Sequence, residues 1–259
     1  MHRALDVSHK IRKSVWNPAI GIVERLVLNF SNRLSANNLA MADYMQSKLC
    51  RRIPIRVNLP PSLSPGMEPT ECDKSLRSKL GLCEGDFVIA YLGSFFYFSG
   101  LEIVVQQLLD QQQANPRQRL LLIGGGEQEQ ELRAICDSHK LGASVVFAGM
   151  INFEEIPRYL SLADVGINPM KSGPVSDFAL PNKVLQYLAV GLPVVSTGLL
   201  GLKSALSKKL PVVWVNSPNE VLRATINAKS AKAKLTQTQI KLLMNEFEPD
   251  VALGSLEQT

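Results

Sequence analysis

The chain has 259 residues, 46% hydrophobic and 20% charged, with 28 Lys and Arg against 23 Asp and Glu. This is ordinary globular composition, long enough to bury a core in one large domain or two small ones; its mild positive balance is not a nucleic-acid-binding signature. No run approaches the roughly 18 consecutive apolar residues of a bilayer span, and four cysteines without CxxC spacing plus three histidines give no metal cluster to read.

The basic N-terminus (Arg3, Lys10, Arg12, Lys13) lacks the apolar run and cleavage site of a secretory signal. Free thiols in a reducing cytoplasm are the simplest expectation, with peripheral contact at the inner membrane face compatible with the basic balance. Ile20–Phe30 reads as a helix, Arg33–Asn37 as a strand, Leu39–Cys50 as a helix and Ile53–Asn58 as a strand. That is too little to close an independent sheet. The run LPPSLSPGMEPT, Leu59 to Thr70, carries four prolines that fit neither a helix interior nor a central strand, so it reads as a linker.

After the linker, apolar runs alternate with helical patterns. The strands expected are Phe87–Leu92, Leu120–Ile123, Val145–Ala148, Val165–Asn168, Val194–Ser196 and Val212–Val215. Between them come helices near Leu101–Gln113, Gln128–His139, Phe153–Leu162, Asn182–Val190 and Pro218–Ala228. Asn152 with Glu155, and Ser217 with Glu220, are spaced as capping boxes, and Pro218 suits a first helical position. Alternating strands and helices with right-handed crossovers give an α/β fold, a doubly wound parallel Rossmann-like sheet.

Ligands of such sheets bind at the carboxyl ends of the strands. There the first strand of this region runs into Gly93-Ser94, and the second into Gly124-Gly125-Gly126. Glycines at these turns let backbone N–H groups approach an anion, or simply make a tight turn. The sixth position from Gly124 is Glu129, so the dinucleotide fingerprint fails and an NAD(P)-dependent oxidoreductase is disfavoured; no GxxxxGK[ST] run exists either. In SDFALPNKVLQYLAVGLPVVSTGLL, Pro181 precedes a short amphipathic helix. Lys183 and Gln186 share one face of it, while Val184, Leu188 and Ala189 can face the core. That face offers either a cation and an amide to a diphosphate and ribose, or a plain solvated surface.

The segments LGSFFYFSGLE, LLIGGGEQEQEL, VVFAGMINFEEIPRYLSLADVGINP and LPNKVLQYLAVGLPVVST, in this order, resemble the donor-binding C-terminal domain of GT-B retaining glycosyltransferases, the glycosyltransferase family 4 or "glycosyl transferases group 1" type. The resemblance covers roughly Phe87 to Val215. It implies a GT-B C-terminal half spanning 71–228, preceded by a remnant of the acceptor domain (1–58) and the linker (59–70), and followed by a helical tail (229–259). It implies a nucleoside-diphosphate sugar as co-substrate, with no other cofactor and no metal. Gly93, Ser94, Gly124, Gly125, Gly126 and Lys183 would hold the diphosphate. Met150, Ile151 and Gln186 would hold the base and ribose, and Asp177 and Phe178 the donor sugar. No catalytic base is identified.

Four charged positions of the family pattern are altered. Gln186 stands where the family has a ribose-binding glutamate, Phe178 where it has a second glutamate, and Ser94 and Ser99 where it has cations for the diphosphate. The reading is therefore a glycosyltransferase-type donor domain, retaining by resemblance, for hexosyl transfer to an acceptor the sequence does not reveal. The alternative is a non-catalytic or truncated module that binds a nucleotide or a partner. Such a chain is not expected to transfer sugar alone. An apolar stripe of Ile20, Val23, Val27 and Leu28 would be left uncovered, calling for an acceptor-domain partner subunit or a homodimer.

Overall fold

The computed structural model describes residues 16–57, 66–174, 176–206 and 210–230. The chain divides into two units, Met1–Asn58 and Leu59–Thr259.

In the first unit, helix α1 (Trp16–Phe30) leads into strand β1 (Leu34–Ala36), helix α2 (Leu39–Lys48) and strand β2 (Ile55–Val57). The two strands pair in parallel around α2, a minimal βαβ crossover. Asn38 caps α2 by accepting the Met41 N–H at 2.9 Å. Glu24 of α1 accepts the Tyr44 hydroxyl of α2 at 2.9 Å. Leu28 lies one turn beyond Glu24 and is buried, because that side of the helix meets α2. Ile20, Ile22, Val23, Leu26, Val27 and Phe30 are exposed. The uncovered stripe thus includes Ile20, Val23 and Val27 as expected, but not Leu28.

The second unit begins, within the described residues, at Gly66. Met67 is buried, Thr70 donates to the Pro157 carbonyl at 3.1 Å, and Asp73 caps helix α3 (Lys74–Lys79) while binding Arg158 at 2.6 Å. This segment is therefore anchored from Met67 onward, whereas Pro60, Pro61 and Pro65 of the expected linker lie outside the described residues, as does the tail beyond Ser230.

Six parallel strands follow: β3 (Phe87–Leu92), β4 (Gln118–Ile123), β5 (Val145–Gly149), β6 (Val165–Asn168), β7 (Val194–Thr197) and β8 (Val212–Val215). Their order across the sheet is β5-β4-β3-β6-β7-β8, a doubly wound arrangement whose direction of growth reverses between β3 and β6. Alternation along β3 sends Val88, Ala90 and Leu92 to one core layer and Phe87, Ile89 and Tyr91 to the other. The first layer is covered by α3, α6 (Ile156–Leu160), α7 (Asn182–Ala189) and α8 (Leu200–Ala205). The second is covered by α4 (Leu101–Gln111), α5 (Glu129–Ser138) and α9 (Val221–Ser230). The four central strands β4, β3, β6 and β7 are buried on both faces, while the edge strands β5 and β8 are mostly half-buried; burial on both faces is why the central strands read as continuous apolar runs. No helix among the described residues is long and apolar enough to cross a membrane.

The two capping boxes do not form. The helices expected at Phe153 and Pro218 begin as 3-10 turns, Phe153–Glu155 and Pro218–Glu220, and neither Asn152 nor Ser217 makes a side-chain cap bond. In the tighter turn the backbone closes instead, Glu155 N–H to the Asn152 carbonyl at 3.1 Å, and the Glu220 carboxylate accepts the Asn216 N–H at 3.2 Å. Helices α3 and α8 leave no periodic signal in the sequence, because both are only six residues long.

At the switch point, β3 and β6 pair over only two residues, Ile89 with Val165 and Ala90 with Gly166. Tyr187 of α7 fills the opening beyond. Its hydroxyl accepts the Leu92 N–H at 2.7 Å and lies 3.4 Å from the Ile167 carbonyl. A Cβ on Gly166 would stand 2.5 Å from the Tyr187 ring, so the strand must carry glycine there. This wedge sets the position of α7 and places Lys183, one turn earlier, at the end of β3.

Candidate functional site

The carboxyl end of β3 meets the carboxyl end of β4 through two glycine turns. Gly93 and Gly124 both have positive φ, +117° and +128°, and a Cβ on Gly124 would lie 2.2 Å from the Gly93 carbonyl oxygen. Any side chain would push the turns apart. The Gly93 N–H is spent on the Ile123 carbonyl and that of Gly124 on Gly149. Those of Ser94, Gly125 and Gly126 have no backbone acceptor among the described residues, so these three, rather than the first glycine of each turn, are open to an anion.

Lys183 reaches the same place from α7. Its Cε and Nζ would lie 3.5 and 3.6 Å from a Cβ on Gly93. Its ammonium sits 3.8 Å from the centre of the Tyr91 ring, a favourable cation–π geometry. The residue is half-buried, its charge is desolvated, and it has no ion-pair partner among the described residues. Burial lowers its pKa from 10.5 to about 7. Tyr91 is fully buried and its phenol is pushed up to about 12 by desolvation, so its hydroxyl stays a donor, to the Ser94 carbonyl at 2.8 Å. A desolvated cation held against an aromatic ring without a carboxylate suits an anion, which would supply the missing counter-charge.

Among the other residues singled out from sequence, Gln186 is buried at 9% exposure. With Val184 and Leu185 to Ala189 also buried, the plain solvated reading of this helix does not hold. Met150 is 81% exposed after β5, yet its thioether lies 3.7 Å from where a Cβ of Gly125 would be, so it borders the second glycine turn; Ile151 is half-buried beside it. Asp177 and Phe178 form a 3-10 turn. One Asp177 carboxylate oxygen accepts the Ser172 hydroxyl at 2.6 Å and the Gly173 N–H at 3.2 Å, closing its own loop. Ser99 is buried, with its hydroxyl donating to the Ser94 carbonyl at 3.1 Å and accepting the Phe96 N–H at 3.1 Å. It braces the loop from within and presents nothing to a diphosphate.

Sequence reasoning missed three contributors. Tyr91 underlies Lys183, Tyr187 wedges the switch point, and Glu102 at the start of α4 pairs with Lys171 after β6. The first two look like ordinary core aromatics, and no local spacing distinguishes them. A polar cavity of about 110 Å³ lies at the ends of β7 and β8, lined by Ser172, Thr197, Gly198, Lys203 and Asn216. It does not adjoin the glycine turns, and ligand pockets typically measure roughly 300–1,000 Å³.

Comparison with known proteins supplies the context for this geometry. A family model described as "Glycosyl transferases group 1" matches residues 86–230. A glycosyltransferase of Methanocaldococcus jannaschii, MJ1607, is 25% identical over 165 residues, covering 60% of this chain and 40% of that protein. Among solved structures, sucrose-phosphate synthase from Thermosynechococcus elongatus superposes with a TM-score of 0.68 at 18% identity, over 94% of this chain and 62% of its own. Anabaena HepE in complex with UDP and glucose gives 0.64 at 17% identity, over 95% of this chain and 70% of its own. The chain thus spans two fifths of the curated relative and under two thirds of the synthase. The fold shared with these structures is the GT-B glycosyltransferase architecture.

Proposed function

The chain belongs to the glycosyl transferases group 1 family, and from that premise we propose that its second unit binds a nucleoside-diphosphate sugar for hexosyl transfer. The observation that carries the proposal is the ammonium of the half-buried Lys183, held over Tyr91 against Gly93 with no carboxylate partner among the described residues. The diphosphate is received by Lys183 and by the N–H groups of Ser94, Gly125 and Gly126. Met150, Ile151 and Gln186 border the base and ribose, and Asp177 and Phe178 the sugar. Asp177 then acts through the loop it closes unless its Ser172 bond opens.

The chemistry follows from charge. As the bond to the anomeric carbon breaks, negative charge grows on the leaving diphosphate. A fixed cation and fixed N–H dipoles stabilise that charge more than the ground state, which is the source of rate. Departure with retention of configuration belongs to this proposal as the family's reaction. Uridine is the first base to test, since HepE was solved with UDP. Thermal shift and calorimetry against UDP-, GDP-, ADP- and dTDP-sugars test the reading: one nucleotide class should stabilise the chain, and absence of binding to all of them contradicts it.

Transfer itself is proposed to need an acceptor half facing the donor unit, docked on the exposed face of α1. The described residues of the first unit pair only two strands, and α1 exposes Ile20, Ile22, Val23, Leu26, Val27 and Phe30; helices bury such stripes against something. A second copy of the chain is the competing occupant. Light scattering combined with a transfer assay separates the two, and a monodisperse monomer that transfers sugar unaided contradicts both.

A further inference from the structure

The loop from β3 to α4, Gly93 to Gly100, spends many bonds on a fixed shape. Phe95 is fully buried, its N–H donates to the Gly125 carbonyl at 2.9 Å, and its carbonyl accepts the Gln128 N–H at 3.0 Å. Ser94 is held through its carbonyl by Tyr91 and Ser99, Phe96 through its N–H by Ser99, and Phe98 through its carbonyl by the Lys171 N–H at 2.8 Å. Yet this braced loop holds two phenyl rings outward. Phe96 is 39% and Phe98 49% exposed, and they stack on each other with centroids 5.1 Å apart and planes at 26°. A core requirement does not explain them, because Phe95 already fills the core position.

The surroundings narrow what would cover the pair. The loop carries no basic residue. Tyr97, between the two rings, has its phenol pKa raised, first by desolvation and then by the negative charges of Glu131 and Glu127. An anionic bilayer surface, or a second anionic ligand, would be repelled by those carboxylates. A sugar ring is suited to them: its C–H face buries against an aromatic ring, and its hydroxyls donate to carboxylates.

We infer that the stacked Phe96–Phe98 pair, beside the glycine turn at Gly93, is the platform on which an acceptor saccharide without negative charge is seated. The inference rests on the nucleotide-sugar reading of the adjacent turn; the Phe98 carbonyl is tied to the Lys171 N–H of the segment that leads to Asp177, the proposed donor-sugar residue. Tyr97 and Glu131 would hold hydroxyls at the rim, and the stacked rings would set the plane of the acceptor. Glucuronate-type acceptors would be discriminated against by the same carboxylates.

Saturation-transfer NMR on the full chain tests this with and without UDP. The probes are methyl α-glucopyranoside, maltose, glucosamine and glucuronic acid. Irradiating aromatic protons should transfer signal to the C–H protons of the first three and weakly to glucuronic acid. In Phe96→Leu/Phe98→Leu, which alters only exposed rings, the transfer should fall about fivefold, while UDP affinity by calorimetry is unchanged. Undiminished transfer in the variant, or none to any sugar in the wild type, overturns the platform. A matching loss of UDP affinity would assign the rings to the nucleobase, and capture on phosphatidylglycerol vesicles that the variant loses would assign them to a membrane; either overturns the inference. Absence of UDP binding with sugar transfer intact would count against the nucleotide reading alone.

Discussion

Two lysines serve the same end of the sheet in opposite ways. Lys171, just after β6, has its charge matched by Glu102 in a half-exposed ion pair. Lys183, on α7, has its charge held over Tyr91 beside Gly93 and no matching carboxylate among the described residues. The first arrangement is what a protein does with a cation that only needs to be solvated. The second costs desolvation in the free chain and is offset only when an anion arrives. Composition and spacing make the two residues look alike; their surroundings make one a brace and fit the other to the proposed diphosphate contact.

The contrast is most easily broken at Lys183. Lys183→Ala should weaken UDP-sugar binding by about 1–3 kcal/mol, the worth of a charge-assisted contact, with the fold intact by circular dichroism. Unchanged affinity in calorimetry would remove Lys183 from the site. Lys183→Met should do the reverse to the empty chain. Because the folded-state pKa is lowered from 10.5 to about 7, the unfolded chain binds the proton more readily. The wild type therefore carries the full penalty below pH 7 and recovers stability as pH rises from about 7 toward 10.5. Methionine removes the penalty, so its melting temperature should exceed that of the wild type at pH 7 by about 2–4 °C per kcal/mol, with the gap closing at high pH in thermal melts.

A smaller effect is expected one turn along. Gln186→Glu should tighten UDP binding about threefold through a stronger acceptor for a ribose hydroxyl. The gain should disappear with 2′,3′-dideoxy-UDP, which has neither hydroxyl; an equal gain with both nucleotides would place the carboxylate's effect elsewhere. Lys171→Ala is the quiet control. Half-exposed ion pairs contribute about 0–1 kcal/mol, so stability should move little and UDP-sugar affinity should stay within error. A loss comparable to that of Lys183→Ala would erase the distinction between the two cations.

The sheet was legible in the sequence because its physics is local. Strands of a covered parallel sheet are short apolar runs, and the buried Phe87–Leu92 and Val165–Asn168 and the half-buried edge strand Val212–Val215 match the observed bounds residue for residue. Helix starts were less legible: the Asn152 and Ser217 spacings suit capping boxes, but both segments open as 3-10 turns whose backbone closes without the side chain. At the site, glycines announce their turns, but which N–H groups stay open depends on strand-end bonds that only the register of β3, β4 and β5 decides. Ser99 shows the same limit. A serine in place of a cation looks like a weakened ligand, yet it is a buried brace. Lys183 was visible as a residue but not as an uncompensated charge, because the absence of a partner is a property of the whole surroundings.

The most direct test is the proton count of binding. UDP-glucose carries a diphosphate that does not titrate near neutrality, unlike a terminal phosphate with a second pKa of about 6, so any proton taken up on binding belongs to the protein. Calorimetry at pH 8 in two buffers of different ionisation enthalpy should show uptake of most of one proton by the wild type. Lys183 is mostly neutral there when free and would be charged against the diphosphate. Affinity should correspondingly fall as pH rises above 7. Lys183→Met should show no uptake and a flat profile. Binding by the wild type without proton uptake, or with uptake that survives in Lys183→Met, would contradict the assignment of Lys183 as the receptor of the diphosphate.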